Sequence, residues 1–505
     1  MGRLPCGSRL SYHCSVMETR RALLSRLGFG LACAPFVLAQ PAAQRPNIVF
    51  FLADDLGAAD LGCYGSRFHE TPNLDRLAAQ GMKFTQAYAA CPVCSPTRVS
   101  IMTGKYPART GVTNYIPGNQ NFPRAAMKAV TNRLAMDPAE VTIAEALKSA
   151  GYATACIGKW HLGDGESDAD RQGFDFYAHR GPRNPDGSFA GTRNLEGATG
   201  EYMTDRLAKT AVKFVRQHKD RPFFLYLPFN DPHIPLYAKP EHVAKYQAKL
   251  RRMNPKPGDA LNSWPGAAQN HPVYAGMVQS VDDAAGAVIA EIEAQDLARN
   301  TIAIFFSDNG GLAVPEWECQ IPTSNAPFRE GKGHLYEGGV REPLIVKWPG
   351  VVKPGARCDT PVTSTDFFPT LLEVAGATGG SPLDGVSLMP LLRQSGTIER
   401  DALFWHYPHY SNQLGVPSGA IRQGDWKLIE FFADGSLELY NLAQDAGERN
   451  NLVQKMPQRA AELHAKLKAW RRDVGAQMPQ PNPNSDPNRK WEGLGWHERC
   501  SSAPG

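Results

Sequence analysis

Four apolar runs in this chain each end in a cluster of polar residues, and that repeated pattern limits the fold more than any other feature. Asn47-Ile48-Val49-Phe50-Phe51-Leu52-Ala53 is rich in β-branched and aromatic residues and ends in Asp54-Asp55-Leu56-Gly57. Thr301-Ile302-Ala303-Ile304-Phe305-Phe306 ends in Ser307-Asp308-Asn309-Gly310-Gly311. Tyr152 to Ile157 leads into Gly158-Lys159-Trp160-His161, and Phe223 to Leu227 leads into Asn230-Asp231-Pro232-His233. A short, unbroken apolar run reads as a strand buried on both faces, as in a parallel sheet. Helical patterns, such as Val141 to Ala150 and Val278 to Ala294, lie between these runs. The alternation predicts an α/β fold with helices on both faces of the sheet. Such sheets place their sites just beyond the carboxyl ends of the strands. One polar end could be a helix cap; the four together predict a shared site.

Composition excludes several classes. Of the 505 residues, 42% are hydrophobic, too many for a disordered chain. Lys+Arg 54 against Asp+Glu 50 leaves +4, which lacks the strongly basic character of a nucleic-acid binder. No run approaches the roughly 18 apolar residues of a membrane span.

Residue types at the predicted edge indicate its chemistry. Asp54, Asp55, Asp308 and Asn309 offer oxygen donors, which suit Ca²⁺ or Mg²⁺ better than Zn²⁺. Three carboxylates brought together repel, so a cation is their natural partner. A further segment, Cys94-Ser95-Pro96-Thr97-Arg98, opens a predicted helix with Ser95 as N-cap, Pro96 as first residue and Gly104 as stop. Cys94 then sits at a helix mouth, where free N–H groups favour an anion. Arg98, one turn on, can pair with that anion through two parallel hydrogen bonds.

Cys94-Ser95-Pro96-Thr97-Arg98 with Thr103-Gly104-Lys105-Tyr106 resembles the signature of the formylglycine-dependent sulfatases, of the arylsulfatase A-like, bacterial carbohydrate-sulfatase type. The resemblance runs from about Pro46 to about Met478. It includes Gly158 to Gly163, Ser307 to Gly311, Gly331-Lys332-Gly333, Glu337 to Pro343, Gly424 to Ile429 and Glu438 to Leu442. It implies an alkaline-phosphatase-like core with a mixed, mostly parallel sheet between helices, then a smaller antiparallel subdomain closed by a helix near Ala460 to Trp470. The implied division is 46–380 for the catalytic domain and 381–478 for the subdomain, with a polar tail at 479–505.

The resemblance also implies roles. A formylglycine-generating enzyme oxidises Cys94 to an aldehyde, whose hydrated form attacks sulfur. One Ca²⁺ is held by Asp54, Asp55, Asp308, Asn309 and the modified Cys94. Arg98, Lys159 and Lys332 hold the sulfate oxygens, His233 protonates the leaving oxygen, and His161 supports the second hydroxyl of the hydrated aldehyde. The expected substrate is a sulfate ester on a carbohydrate, ahead of an aryl sulfate. A phosphonate or phosphate ester hydrolase of the same superfamily and a silent sulfated-glycan binder are the alternatives. The polar loops Thr110 to Phe122, His179 to Glu201 and Pro408 to Pro417 are candidates for recognising sugar hydroxyls.

Residues 1–39 read as an export signal to the bacterial periplasm or exterior. Arg20-Arg21 is followed by an apolar stretch, with Val37-Leu38-Ala39 before cleavage, a twin-arginine pattern that could also start at Met17. Seven cysteines follow it: Cys63, Cys91, Cys94, Cys156, Cys319, Cys358 and Cys500. An odd count sets one thiol apart, and spacing does not reveal pairing among the others.

Overall fold

The computed structural model describes residues 45–118, 122–181, 191–253, 264–316 and 319–501, so the predicted export signal lies outside the described residues. Ten strands form the main sheet: β1 (Asn47–Ala53), β2 (Met82–Tyr88), β3 (Ala153–Ile157), β4 (Phe176–Arg180), β5 (Thr192–Arg193), β6 (Phe223–Pro228), β7 (Thr301–Ser307), β8 (Arg341–Lys347), β9 (Ala356–Cys358) and β10 (Val362–Thr363). Their order is β9-β2-β8-β7-β1-β6-β3-β4-β5, with β10 also pairing β2. The four strands foreseen from the sequence, β7, β1, β6 and β3, are consecutive and parallel. β8 runs antiparallel to both its neighbours, and β5 antiparallel to β4, so the sheet is mixed but mostly parallel.

Period-two geometry divides the core into two layers. On β1, Ile48, Phe50 and Leu52 enter one layer, while Val49, Phe51 and Ala53 enter the other. Helices α1 (Pro72–Gln80), α4 (Met203–Gln217) and α6 (Pro272–Ala294) cover the second face; α2 (Cys94–Thr103), α3 (Ile143–Ser149) and α7 (Phe367–Ala375) cover the first. Helix α5 (Pro240–Met253) packs beside α6. A central strand apolar on both sides therefore needs no polar face, which is why its sequence does not alternate.

A separate antiparallel sheet follows, in sequential order: β11 (Leu403–Tyr407), β12 (Ser418–Gln423), β13 (Trp426–Phe431) and β14 (Leu437–Asn441). Helix α8 (Pro457–Asp473) packs Ala460, Leu463 and Leu467 on one of its faces. The other face carries Trp405 and Tyr407 against Tyr88, Cys91 and Val93, and Trp405 Nε1 donates to the Ala89 carbonyl at 2.8 Å. The small sheet thus clamps the segment that delivers Cys94. Residues read as a polar tail are packed as far as they are described. Gln480–Pro481 pairs with Met127–Lys128, Asn482 Nδ2 donates to the Pro123 and Ala125 carbonyls, and Cys500 is disulfide-bonded to Cys319. No helix among the described residues is long and apolar enough to cross a membrane.

Candidate active site

Helix α2 begins at Cys94, two residues earlier than its capping chemistry suggests. Val93 occupies the N-cap position without a side-chain hydrogen bond, and Ser95 Oγ instead accepts from Ile116 N at 3.1 Å. Its end is as expected, with Gly104 left-handed at φ 68°. Every residue of this helix is buried. Burial, with the negative charges of Asp54 and Asp308, pushes the Cys94 thiol up to about 12 against the pull of Lys159 and Lys332.

Strand ends bring the remaining candidates to the same place. Asp54, Asp55, Cys94 and His233 offer ligand atoms that all lie within 4.8 Å of one another. Lys159 Nζ donates to Asp54 Oδ2 at 2.5 Å, and Lys332 Nζ to Asp55 Oδ2 at 2.7 Å. Arg98 Nε donates to Asp308 Oδ2 at 2.9 Å, while its Nη2 lies 3.6 Å from Asp54 Oδ1. Asn309 Nδ2 donates to Asp55 Oδ1 at 2.8 Å and to the Gly310 carbonyl at 3.0 Å. His233 Nε2 is 3.6 Å from Asp55 Oδ2, with Nδ1 against the Ile234 carbonyl at 2.5 Å. His161 Nε2 meets the Ile116 carbonyl at 2.6 Å, and its buried Nδ1 has no partner among the described residues.

Backbone geometry at these turns is specialised. Asp55 and His161 hold φ of 65° and 61°, a region that costs a non-glycine residue roughly 1–3 kcal/mol and occurs where a site imposes it. Gly158 has φ 132°, and a Cβ there would lie 1.9 Å from the Pro228 carbonyl oxygen; a Cβ on Gly310 would lie 1.9 Å from the Gly338 oxygen. Both glycines let a polar strand end turn across a neighbouring chain segment.

The carboxylates feel one another as well as the cations around them. Burial opposes the charge on Asp54, but Lys159, His233, Arg98 and Lys332 outweigh it and hold that carboxyl well below its usual range. Asp308 is raised to about 7 by burial and then by the like charge of Asp54. Two buried oxygens, Asp54 Oδ1 and Asn309 Oδ1, have no hydrogen-bond partner among the described residues. An oxygen-only donor set with unsatisfied lone pairs and a repelled carboxylate fits a hard divalent cation. Burial, then Lys332, lowers His233 to about 4; burial, then Lys159 and Arg98, lowers His161 well below its usual value. Both shifts disfavour the charged imidazolium.

Residues not singled out from the sequence line the same corner. Glu316, on the loop leaving β7, accepts from Asn412 Nδ2 at 3.2 Å and from Gln413 Nε2 at 2.5 Å. Asn412 also donates to Tyr115 Oη at 3.2 Å. Tyr115 and the two amides fall within loops that the sequence offered for sugar recognition; Glu316 could have been sought on the strand-end loop behind Asp308 and Asn309.

Comparison with known proteins agrees with this arrangement. A sulfatase family profile matches residues 46–377, and the profile described as N-sulphoglucosamine sulphohydrolase, C-terminal, matches residues 330–473. A sulfatase of Formosa agariphila is 33% identical, over 88% of this chain and 92% of that one. Human arylsulfatase A is 32% identical over 86% of this chain and 87% of its own. Among solved structures, Ps i-CgsB in complex with k-i-k-neocarrahexaose superposes with a TM-score of 0.71 at 29% identity, covering 90% of this chain and 98% of that chain. The fold is accordingly the alkaline-phosphatase-like fold of sulfatases. With a family match over most of its length and a strand-end site of carboxylates and cations, this chain belongs to the sulfatase family and is a sulfuric ester hydrolase.

Proposed function

We propose that the enzyme releases sulfate from a sulfated carbohydrate, using formylglycine made from Cys94 and one Ca²⁺ held by Asp54, Asp55, Asp308 and Asn309, with the modified Cys94 completing the shell. The observation that carries this reading is the charge balance of the buried site. Asp54, Asp55 and Asp308 face Arg98, Lys159 and Lys332, so a divalent cation would leave an excess of +2 to receive an anionic ester. Bound there, Ca²⁺ would offset the carboxylates and favour ionisation of the formylglycine hydroxyl. Formylglycine supplies a nucleophile with a second hydroxyl, which serine lacks.

The protein's own groups do the rest. Arg98, Lys159 and Lys332 hold sulfate oxygens and offset charge in the transition state. His161 is fixed by the Ile116 carbonyl and orients the hydrated aldehyde. His233 faces the leaving-group side through Nε2; the ester's negative charge, once bound, favours its protonation, and Lys332 stands beside it as a second cation. Burial of Cys94, 1% exposed, means that a formylglycine-generating enzyme must act before the chain closes over it. The likeness to Ps i-CgsB, solved with k-i-k-neocarrahexaose, supports the choice of sugar over aryl ester. A disulfide between Cys319 and Cys500 and the signal-like residues 1–39 support export to an oxidising compartment.

Two expected results test this reading. Asp308→Ala should lose bound calcium and sulfate release together, by more than the ~10–100-fold typical of outer-shell changes. Metal analysis of the purified protein checks it; full calcium retention, or zinc bound in its place, would contradict the assignment. In the second experiment, wild-type enzyme is offered sugar sulfates, nitrophenyl sulfate and a phosphonate monoester, and should strongly prefer the sulfates. His233→Ala should cost sugar sulfates about 10²–10⁴-fold and nitrophenyl sulfate much less, because a poor leaving group depends most on proton donation. Equal losses for both esters would remove His233 from the acid role, and faster phosphonate cleavage by the wild type would overturn the sulfatase reading of the site.

A further inference from the structure

We infer that Glu316, with Tyr115, Asn412 and Gln413, selects a neutral sugar ring beside the scissile sulfate and disfavours a ring that carries a second anionic group. The inference rests on the carbohydrate reading above and goes beyond it by naming the kind of ring and the residues that recognise it.

Position comes first. Glu316 is half-buried and accepts from Gln413, whose Cβ lies 3.0 Å from where a Cβ on Gly333, the neighbour of Lys332, would stand. Tyr115 precedes Ile116, whose N donates to Ser95 Oγ at 3.1 Å and whose carbonyl meets His161 Nε2 at 2.6 Å. The corner therefore adjoins the Lys332 loop on one side and the His161 and Ser95 segment on the other.

Hydrogen-bonding capacity comes next. A carboxylate has about four acceptor positions, and Glu316 uses one on each oxygen, toward Asn412 and Gln413. Tyr115 Oη accepts from Asn412, and its own proton has no acceptor among the described residues. Gln413 Oε1 is buried without a partner among the described residues. Spare acceptors on Glu316 and Gln413 beside a spare donor on Tyr115 suit sugar hydroxyls, which donate and accept at once. An aryl ring offers them nothing. A second sulfate or a carboxylate on the sugar would meet the like charge of the half-buried Glu316 and be repelled.

The corner is also rigid. The Asn412 carbonyl accepts from Trp496 Nε1 at 3.0 Å, and Leu414 packs with Leu312, Val314, Leu494 and Trp496. The Cys319–Cys500 disulfide ties the Glu316 loop to the helix that carries Trp496. Gly415 lies so close to the Lys332 loop that a Cβ would come within 1.9 Å of the Gly333 oxygen. Groups held by packing on several sides lose little freedom when they bind, which is what discrimination between similar sugars requires.

The test uses full-length matured enzyme and compares kcat/KM for nitrophenyl sulfate, monosulfated galactose and N-acetylgalactosamine, and the same rings with a second sulfate. Glu316→Gln should lower kcat/KM for the monosulfated sugars about 10–100-fold, as expected for loss of a charged hydrogen-bond acceptor, and by at least ~10-fold more than for nitrophenyl sulfate. It should also narrow the gap between monosulfated and disulfated rings, a change that a merely structural role would not produce. Tyr115→Phe should share the sugar-specific loss without altering the charge preference, and it serves if Glu316→Gln fails to fold. Equal losses on sugar and aryl esters, or no loss on either, would overturn the role of Glu316 while leaving the carbohydrate reading intact. A wild type that cleaves nitrophenyl sulfate and none of the sugars would overturn the carbohydrate reading itself, and this inference with it.

Discussion

Cys94→Ala should reduce sulfate release by roughly 10⁴-fold or more, because it removes the nucleophile around which the remaining groups act as a unit. Its effect on folding should be small. The change deletes one sulfur atom from a buried position, and the helix it opens is held by Val99, Ile101 and Met102 in the core. Removing the thiol leaves no polar partner unpaired, since no hydrogen bond from Cys94 contributes to the fold among the described residues. Thermal melting of the variant should therefore stay near that of the wild type while activity disappears. Cys94→Ser should also be severely impaired, since a serine has one hydroxyl and cannot become the hydrated aldehyde without a serine-oxidising maturation enzyme. Mass spectrometry of the wild-type peptide spanning position 94 should find an aldehyde. A Cys94→Ala protein retaining near-normal turnover would end the formylglycine proposal.

Lys427→Met should destabilise the protein by about 3–5 kcal/mol, the range expected when one partner of a buried ionic network is removed. Lys427, on β13, is fully buried and donates to Glu337 Oε1 and pairs with Glu448 Oε1, both at 2.9 Å. Tyr88 donates to Glu337 Oε2 at 2.7 Å, Arg341 lies 3.3 Å from the same oxygen, and Glu337 N donates to Glu448 Oε2 at 2.6 Å. The network joins the small sheet to the segment between the Lys332 loop and β8. Glu337 is held below the usual carboxylate range because Lys427, Arg341 and Arg422 together outweigh its burial; Glu448 is raised by burial and by Glu337. The Glu337 contribution has a definite sign with pH. A lowered folded-state value adds stability above the unfolded value of about 4.3, and that stability is lost as pH falls through the folded value. Denaturant unfolding at neutral pH measures the Lys427→Met loss. Adding Glu448→Gln to Lys427→Met should restore part of it, because the carboxylate that Lys427 compensated is then gone, while Glu337 keeps Arg341 beside it. A single variant as stable as the wild type would show that the network is not what joins the two parts.

The match between sequence and structure is uneven, and particular elements show why. The apolar runs that became β1, β3, β6 and β7 were readable because a strand buried on both faces leaves a local mark, and so was the placement of Asp54, Lys159, His233 and Asp308 just beyond them. β8 carries a similar run, Pro343-Leu344-Ile345-Val346, but runs in the opposite direction, because an apolar run records burial and not polarity. Ser95 has the composition of a cap, yet its hydroxyl serves Ile116, a partner supplied by a distant loop. The residues read as a polar tail have few apolar side chains, but Trp491, Leu494 and Trp496 suffice to pack its described part once Cys500 meets Cys319.

What the sequence determined by itself is therefore the four central parallel strands, the presence of a helix in the Cys94 to Gly104 segment and the chemical type of each candidate group, since these depend on residue types within a few positions of one another. The tertiary structure alone decided that Lys332 pairs with Asp55, that Arg98 spans Asp308 and Asp54, that Lys427 is buried between two glutamates, and that Glu316 joins Tyr115 and Asn412. Each of these contacts links segments far apart along the chain. Hydrophobic burial brings such segments together without regard to their polar groups, and only the closed packing fixes which polar groups then face one another.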